Sequence, residues 1–317
     1  MRMSGAPSIA CLAALALALG GALACSTPSA APDAGSDAGT DAGNGDAGSD
    51  AGGSCSPPMV YGGGEASAVG GTVTALIVDE TGAPVPGQPA YICGLDLCSP
   101  PAMTSAGGTV TLTTSLSMKK PAFKYGDAVS YAEFAIPLTA ASTDFTQSGT
   151  GKLACAKLAG KPGAALTPGG SAVSGEVTVS LAADAGVGID TLVYSTADEQ
   201  LFRAVQIPLA NLGPVLADAT LSGGASANFG LVVGVAPAET TLCPPAQITV
   251  ALPSTLGWVA GAAVEFWVTT DDTAQQFAPY AGWAFMSDGQ VSADGKSATT
   301  AAGQGFNFLE SFAVRLK

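Results

Sequence analysis

The chain has 317 residues and carries 25 acidic against 11 basic side chains, a net charge of −14, with no histidine anywhere. That balance argues against nucleic acid, which selects Lys and Arg to displace counterions, and against docking on anionic lipid through a basic patch. The missing histidine removes the commonest general base and metal ligand from any catalytic scheme.

Residues 1–24 have the parts of an export signal. Arg2 gives a positive start, Ile9 to Leu19 form an apolar run, and Ala22-Leu23-Ala24 supply small residues for cleavage. The run falls short of the about 20 apolar residues a spanning helix needs. Leu19-Gly20-Gly21-Ala22-Leu23-Ala24-Cys25 resembles the cleavage site of bacterial lipoproteins. The resemblance implies that Cys25 becomes the lipidated first residue of the mature chain, and that Ser26, standing where a retention Asp would sit, directs it to the outer membrane or cell surface. Several acyl chains at about 0.8 kcal/mol per CH₂ make a durable anchor. Ala22-x-Ala24 also fits plain secretory cleavage, which is the alternative.

Residues 25–54 repeat Asp-Ala-Gly units around Asp33, Asp37, Asp41, Asp46 and Asp50, without an aromatic or branched aliphatic residue. Such a segment cannot bury a core, and its aspartates repel one another. It is expected to be a disordered tether reaching on the order of 30 Å by flexible-chain scaling. Calcium loops need closer, fixed ligand spacings and a bidentate Glu, so a calcium site is not expected here.

The remainder, 55–317, is long enough for two domains and keeps a charge of −10 once the five tether aspartates and Arg2 are set aside. Five cysteines follow Cys25: Cys55, Cys93, Cys98, Cys155 and Cys243. An oxidising compartment makes disulfides the default. Cys93 and Cys98 enclose four residues and are expected to pair; Cys155 with Cys243 is the expected second bridge, with Cys55 left over. The odd count argues for plain secretion, since an unlipidated Cys25 would make six. A zinc site lacks its partners, there being no His and no second close cysteine pair.

The apolar patterning is that of strands. Thr72–Val78, Thr109–Thr113, Glu176–Leu181 and Gln247–Leu252 alternate or run apolar over strand lengths, punctuated by Gly, Pro and Asp-Gly turns, and helical periodicity is weak. The expected fold is all-β, with two β-sandwich domains in tandem, 55–145 and 146–317, after the signal peptide and linker.

Gly71 to Cys93, with a strand leading into Asp79-Glu80-Thr81-Gly82, then Pro84-Val85, and Thr104 to Leu112 with its Thr-x-x-Gly hairpin, resemble carboxypeptidase regulatory-like domains. The resemblance spans roughly 68–140 and implies a small transthyretin-like sandwich of a kind that is usually non-catalytic. Physics agrees: Gly82 permits a tight turn, Pro84 suits a strand entrance, and Val110 and Leu112 share one face. In the second half, Leu201-Phe202-Arg203, Cys243 to Pro253 and Val291 to Lys296 faintly resemble bacterial surface domains of the ZU5 type.

Trp258, Trp267 and Trp283 lie in that half. Val264, Phe266 and Val268 should alternate inward, leaving Trp267 on the other face with Glu265 as the one candidate ligand contact. Asp79-Glu80 and Asp271-Asp272 are the carboxylate pairs; they are expected in surface turns, and Asp288-Gly289 and Asp294-Gly295 in hairpins. Asp271, Asp272 and nearby carbonyls are a conceivable calcium site that nothing requires. No catalytic, metal or cofactor residue is assigned. The expectation is a lipid-anchored envelope protein, not an enzyme, that presents binding or structural modules to envelope protein or glycan. A glycoside hydrolase working with two carboxylates alone, or a plainly secreted binding protein, is the alternative.

Overall fold

The computed structural model describes residues 67–69, 71–138, 142–147, 151–212, 227–269 and 280–317. The leader, Cys25, the tether and Cys55 lie outside the described residues, as do Asp271 and Asp272. The described residues are all-β, with one single-turn helix, α1 (Leu209–Leu212), and two short 3-10 turns. No described helix is long and apolar enough to cross a membrane.

The first part is a sandwich. β2 (Thr72–Val78) pairs antiparallel with β5 (Thr109–Thr113), and its other edge pairs in parallel with β9 (Ser142–Asp144) and β10 (Leu153–Ala154). The facing sheet runs β4 (Ala102–Met103), β3 (Pro89–Cys93), β7 (Ala122–Tyr125), β8 (Phe134–Pro137). A separate short ladder joins β1 (Ser67–Val69) to β6 (Ser117–Lys119). Strand alternation sends Val73, Ala75, Ile77, Val110 and Leu112 from one sheet, and Ala90, Ile92, Phe123, Tyr125 and Phe134 from the other, into one core. Burying a side chain such as Ile77 contributes about 1.5–3 kcal/mol over leaving it in water. As expected, Gly82 turns the chain after β2, with φ at 86° and its N–H donated to Asp79 O.

The second part is one strongly curled sheet. Its order is β11 (Ser171–Ser174), β12 (Val177–Ser180), β16 (Thr240–Ala251), β19 (Ser297–Thr300), β18 (Trp283–Val291), β17 (Ala263–Thr269), β21 (Phe312–Leu316), β15 (Leu231–Ala236), β14 (Arg203–Ile207). All nine strands send residues into a common interior that includes Val179, Ile248, Ala298, Val264, Phe266, Phe312, Val233 and Ala204. The two ends nearly meet, since the Ala204 N–H donates to Ser174 Oγ at 3.1 Å. The shape is therefore close to a barrel, where two separate sheets were expected. β16 also changes partners along its length. Its last residues pair with β12 and β19, and its first with β13 (Gly186–Gly188) and β20 (Phe306–Leu309). Pro244 and Pro245 between them have no N–H to give, so the ladder shifts register there and the strand passes from one set of partners to the other.

The sandwich rests on the outer face of this barrel. Val205 and Ile207 of β14, Val232 and Ala236 of β15, and Ala313 of β21 point away from the barrel interior and share the sandwich's own hydrophobic cluster. Three polar ties accompany them: Tyr194 Oη donates to Ala128 O at 3.3 Å, Asn211 Nδ2 to Glu80 O at 2.9 Å, and Arg203 Nε to Lys161 O at 3.2 Å. Residues 67–317, as described, thus form one continuously packed body.

Candidate functional site

The three tryptophans were the sequence's best pointer to a ligand surface, and β17 sets the geometry of one of them. Val264, Phe266 and Val268 are fully buried in the barrel interior, and Trp267 with Glu265 lies on the opposite face, as alternation requires. That face, however, is covered. Trp267 is 5 % exposed, so the expectation that it is a ligand contact open to solvent is corrected. Register explains the cover: Glu265 stands opposite Arg315 of β21, and Trp267 opposite Ala313 on one side and Phe285 on the other. Arg315 Nε donates to Glu265 Oε2 at 2.7 Å while its Cζ lies 5.0 Å from the Trp267 ring centre. Trp267 Nε1 donates to the same Glu265 oxygen at 3.1 Å. The indole is thereby capped by a guanidinium and its N–H is satisfied, the arrangement of a packed structural tryptophan.

Trp283 is buried as well, its ring 4.8 Å from that of Phe229. The aromatic that does meet solvent here is Phe285, 45 % exposed and set edge-on to Trp267 at 5.8 Å. A bulge puts it there. Phe266 opposes Ser287 and Trp267 opposes Phe285, so Met286 is an extra residue in β18. Alternation read from sequence alone cannot register such an insertion.

The carboxylates are engaged in holding loops. Asp79 Oδ1 accepts from Thr81 N–H, Thr81 Oγ1–H and Ala83 N–H at 2.9, 2.5 and 3.0 Å. Partial burial works against ionisation of Asp79, but these hydrogen bonds outweigh it and hold the carboxyl below its usual value. Its neighbour Glu80 turns elsewhere, accepting from Lys157 N–H at 2.9 Å and pairing with Lys161 Nζ at 3.1 Å. The pair does not converge on one substrate-sized space. Glu265 is matched by Arg315, and Asp288 by Lys317 at 2.9 Å. Among the described residues no three His, Cys, Asp or Glu side chains gather.

The Asp-Gly signals divide. Asp294-Gly295 forms the turn between β18 and β19, where the Gly295 N–H donates to Ser292 O and Asp294 Oδ1 accepts from Lys296 N–H. Asp288-Gly289 lies inside β18, correcting the hairpin expected there. A β-carbon at Gly289 would fall 2.5 Å from Phe266 Cε2 and 2.6 Å from Thr299 O, so this glycine serves close packing. Beside it, Gln290, Ser292, Thr299 and Thr300 line a shallow, open and mostly uncharged groove.

Cys93 and Cys98 are bridged, as their spacing suggested. The expected Cys155–Cys243 bridge is not formed. Cys155 is a free thiol, fully buried under the sandwich, whose Sγ donates to Ala132 O at 3.2 Å. Burial, reinforced by Asp127, Glu80 and Asp79, pushes that thiol well above its usual pKa, so it is not a poised nucleophile. Cys243 is disulfide-bonded. Nothing in the local sequence distinguished Cys155 from a bridging cysteine.

No protein-family model matches the chain, and no curated protein or solved structure matches it.

Proposed function

We propose that this chain is an exported lipoprotein, acylated at Cys25 and held on an Asp/Ala/Gly tether at the outer membrane or cell surface, where its β body serves as a binding or structural module. The observation that carries the reading is the use of cysteine. A cystine at Cys93–Cys98 is what folding in an oxidising compartment leaves. The odd number of cysteines after Cys25, which had favoured a paired Cys25, is accounted for by Cys155, a thiol enclosed in the core. Cys25 is then free to take lipid.

A non-catalytic role is supported by the acids. Asp79, Glu80, Glu265 and Asp288 are each committed to a turn or a cation, and the sandwich over 71–138 has the two-sheet form that its resemblance to carboxypeptidase regulatory-like domains implies. Cys25→Ala should move the exported protein from the detergent to the aqueous phase in phase partitioning, and retention in detergent would count against the anchor. The purified protein should release no product from glycosides or peptidoglycan fragments; turnover abolished by replacing one Asp or Glu with its amide would establish the hydrolase instead.

A further inference from the structure

We infer that the outer face of β18 around Phe285 is the binding surface of the β body, and that its ligand is an uncharged glycan chain. The inference deepens the binding-module reading above and rests on it in that one respect. Register lays the surface out. On β17, Ala263, Glu265 and Trp267 share one face, and opposite them in β18 stand Gln290, Asp288 and Phe285. The bulge at Met286 absorbs the odd spacing, so Phe285, Asp288 and Gln290 follow one another on a single face at intervals of about 6.8 Å, the rise of two residues of the partner strand. Asp288 and Gln290 then open onto the groove of about 480 Å³ that Ser292 and Thr299 also line.

The chemistry of this face selects the ligand. Phe285 is an exposed ring held in place by its edge-on packing against Trp267, and it offers an apolar platform to the C–H side of a pyranose. Along the strand from it come groups that bond hydroxyls: the Asp288 carboxylate, the Gln290 amide and the Thr299 hydroxyl, with Thr299 standing opposite Gln290. A sugar, apolar on its ring faces and hydroxylated around its rim, matches that order. The charges are already matched within the protein, Glu265 by Arg315 at 2.7 Å and Asp288 by Lys317 at 2.9 Å. On a chain of net charge −14, a face whose charges are balanced complements an uncharged partner.

The shape agrees. Small-molecule sites are concave and mostly apolar, whereas this groove is shallow, open and polar, so a chain lying across it fits better than a single enclosed molecule. A second copy of this protein is a poorer occupant, because one exposed aromatic in a polar surround falls far short of the about 800 Å² per partner of a stable interface.

Isothermal titration of the full-length protein with cellohexaose, maltohexaose and the hexasaccharide of chitin tests the surface, with hexagalacturonate as the charged comparator. At least one neutral chain should bind, with an affinity that added salt leaves unchanged. Phe285→Ala should lower that affinity by about tenfold, as loss of one aromatic contact does, and Gln290→Ala should lower it less. Both side chains are exposed, so the variants should keep the wild-type circular dichroism. Binding that survives Phe285→Ala would overturn this site and leave the binding-module reading standing. Binding of hexagalacturonate alone, or of none of the four, would overturn the uncharged glycan. Self-association in sedimentation velocity that Phe285→Ala abolishes would give the face to a second copy instead. Shorter sugars released from a neutral chain whose binding needs Phe285 would keep the site and reject the non-catalytic reading.

Discussion

Gly234 of β15 lies directly beneath Ala156 of the sandwich: a β-carbon at 234 would fall 2.5 Å from the Ala156 methyl and 2.7 Å from that of Ala132. The two layers approach this closely because the barrel strand presents hydrogen at this point. Gly234→Ala should therefore force them apart and destabilise the body by about 1–3 kcal/mol, the usual range for overpacking a filled interior. Because the outer face of the barrel forms part of the sandwich's core, far- and near-ultraviolet circular dichroism should report a single transition, lowered by about 2–4 °C per kcal/mol for a body of this size. An unchanged midpoint would show that the interface is looser than described.

The short cystine should be worth less than the interface as a whole yet be measurable. Cys98→Ser opens a loop spanning a sequence separation of 5, and the chain-entropy model gives about 2 kcal/mol for closing so small a ring. Denaturant titration with and without dithiothreitol checks it: the reductant should erase most of the difference between wild type and variant.

Alkali should weaken the protein. Burial holds the Cys155 thiol and the Tyr125 phenol, which donates to Ala154 O at 3.0 Å, well above their ordinary values of 9.0 and 10.0. Both groups keep their protons more tightly folded than unfolded, so their contribution is whole below about pH 9 and is lost as pH climbs beyond it. Asp79 has the opposite sign at the acid end, contributing above its ordinary 3.8 and losing that contribution as pH falls below it. Iodoacetamide at pH 8 should leave Cys155 unlabelled until denaturant is added, and Cys155→Ala should blunt the alkaline loss. Labelling of the native protein at the rate of a free thiol would contradict the burial.

Arg315→Ala should uncover Trp267 and leave the Glu265 carboxylate, whose side chain is 13 % exposed, with the Trp267 N–H but without its cation. We expect a cost of about 1–3 kcal/mol, as for loss of a charged hydrogen-bond partner from a largely buried acceptor, and a red shift of tryptophan emission. Glu265→Gln in the same background should recover part of the loss. An additive double variant would mean that the guanidinium acts through packing alone.

These outcomes trace what could be read from the chain. β2 and β5 fall on the residues their alternation marked, because both are strands with one wet and one dry face. Trp267 was correctly assigned to the face away from Phe266, yet its burial depends on Arg315, 48 positions later, and no local pattern contains that register. The inward turn of Cys155 is of the same kind, being set by Ala132 and by the docking of the sandwich. Asp288-Gly289 reads as a turn because its glycine is locally indistinguishable from a turn glycine; only the Phe266 ring beneath it shows the other reason for having no side chain. Pro244-Pro245, a donor gap inside an otherwise strand-like run, marks where β16 exchanges partners, whereas the near-closure of the second sheet between Ser174 and Ala204 joins residues 30 positions apart and has no local signal.

The account turns on Cys25, and the mass of the mature amino-terminal peptide tests it most directly. Released by cleavage before Asp33, the peptide 25–32 should carry the mass of a diacylglyceryl thioether on Cys25, with or without an N-acyl chain, and should lose acyl chains on alkaline hydrolysis. An unmodified Cys25 at that terminus, or a mature chain beginning at any other residue, would contradict it.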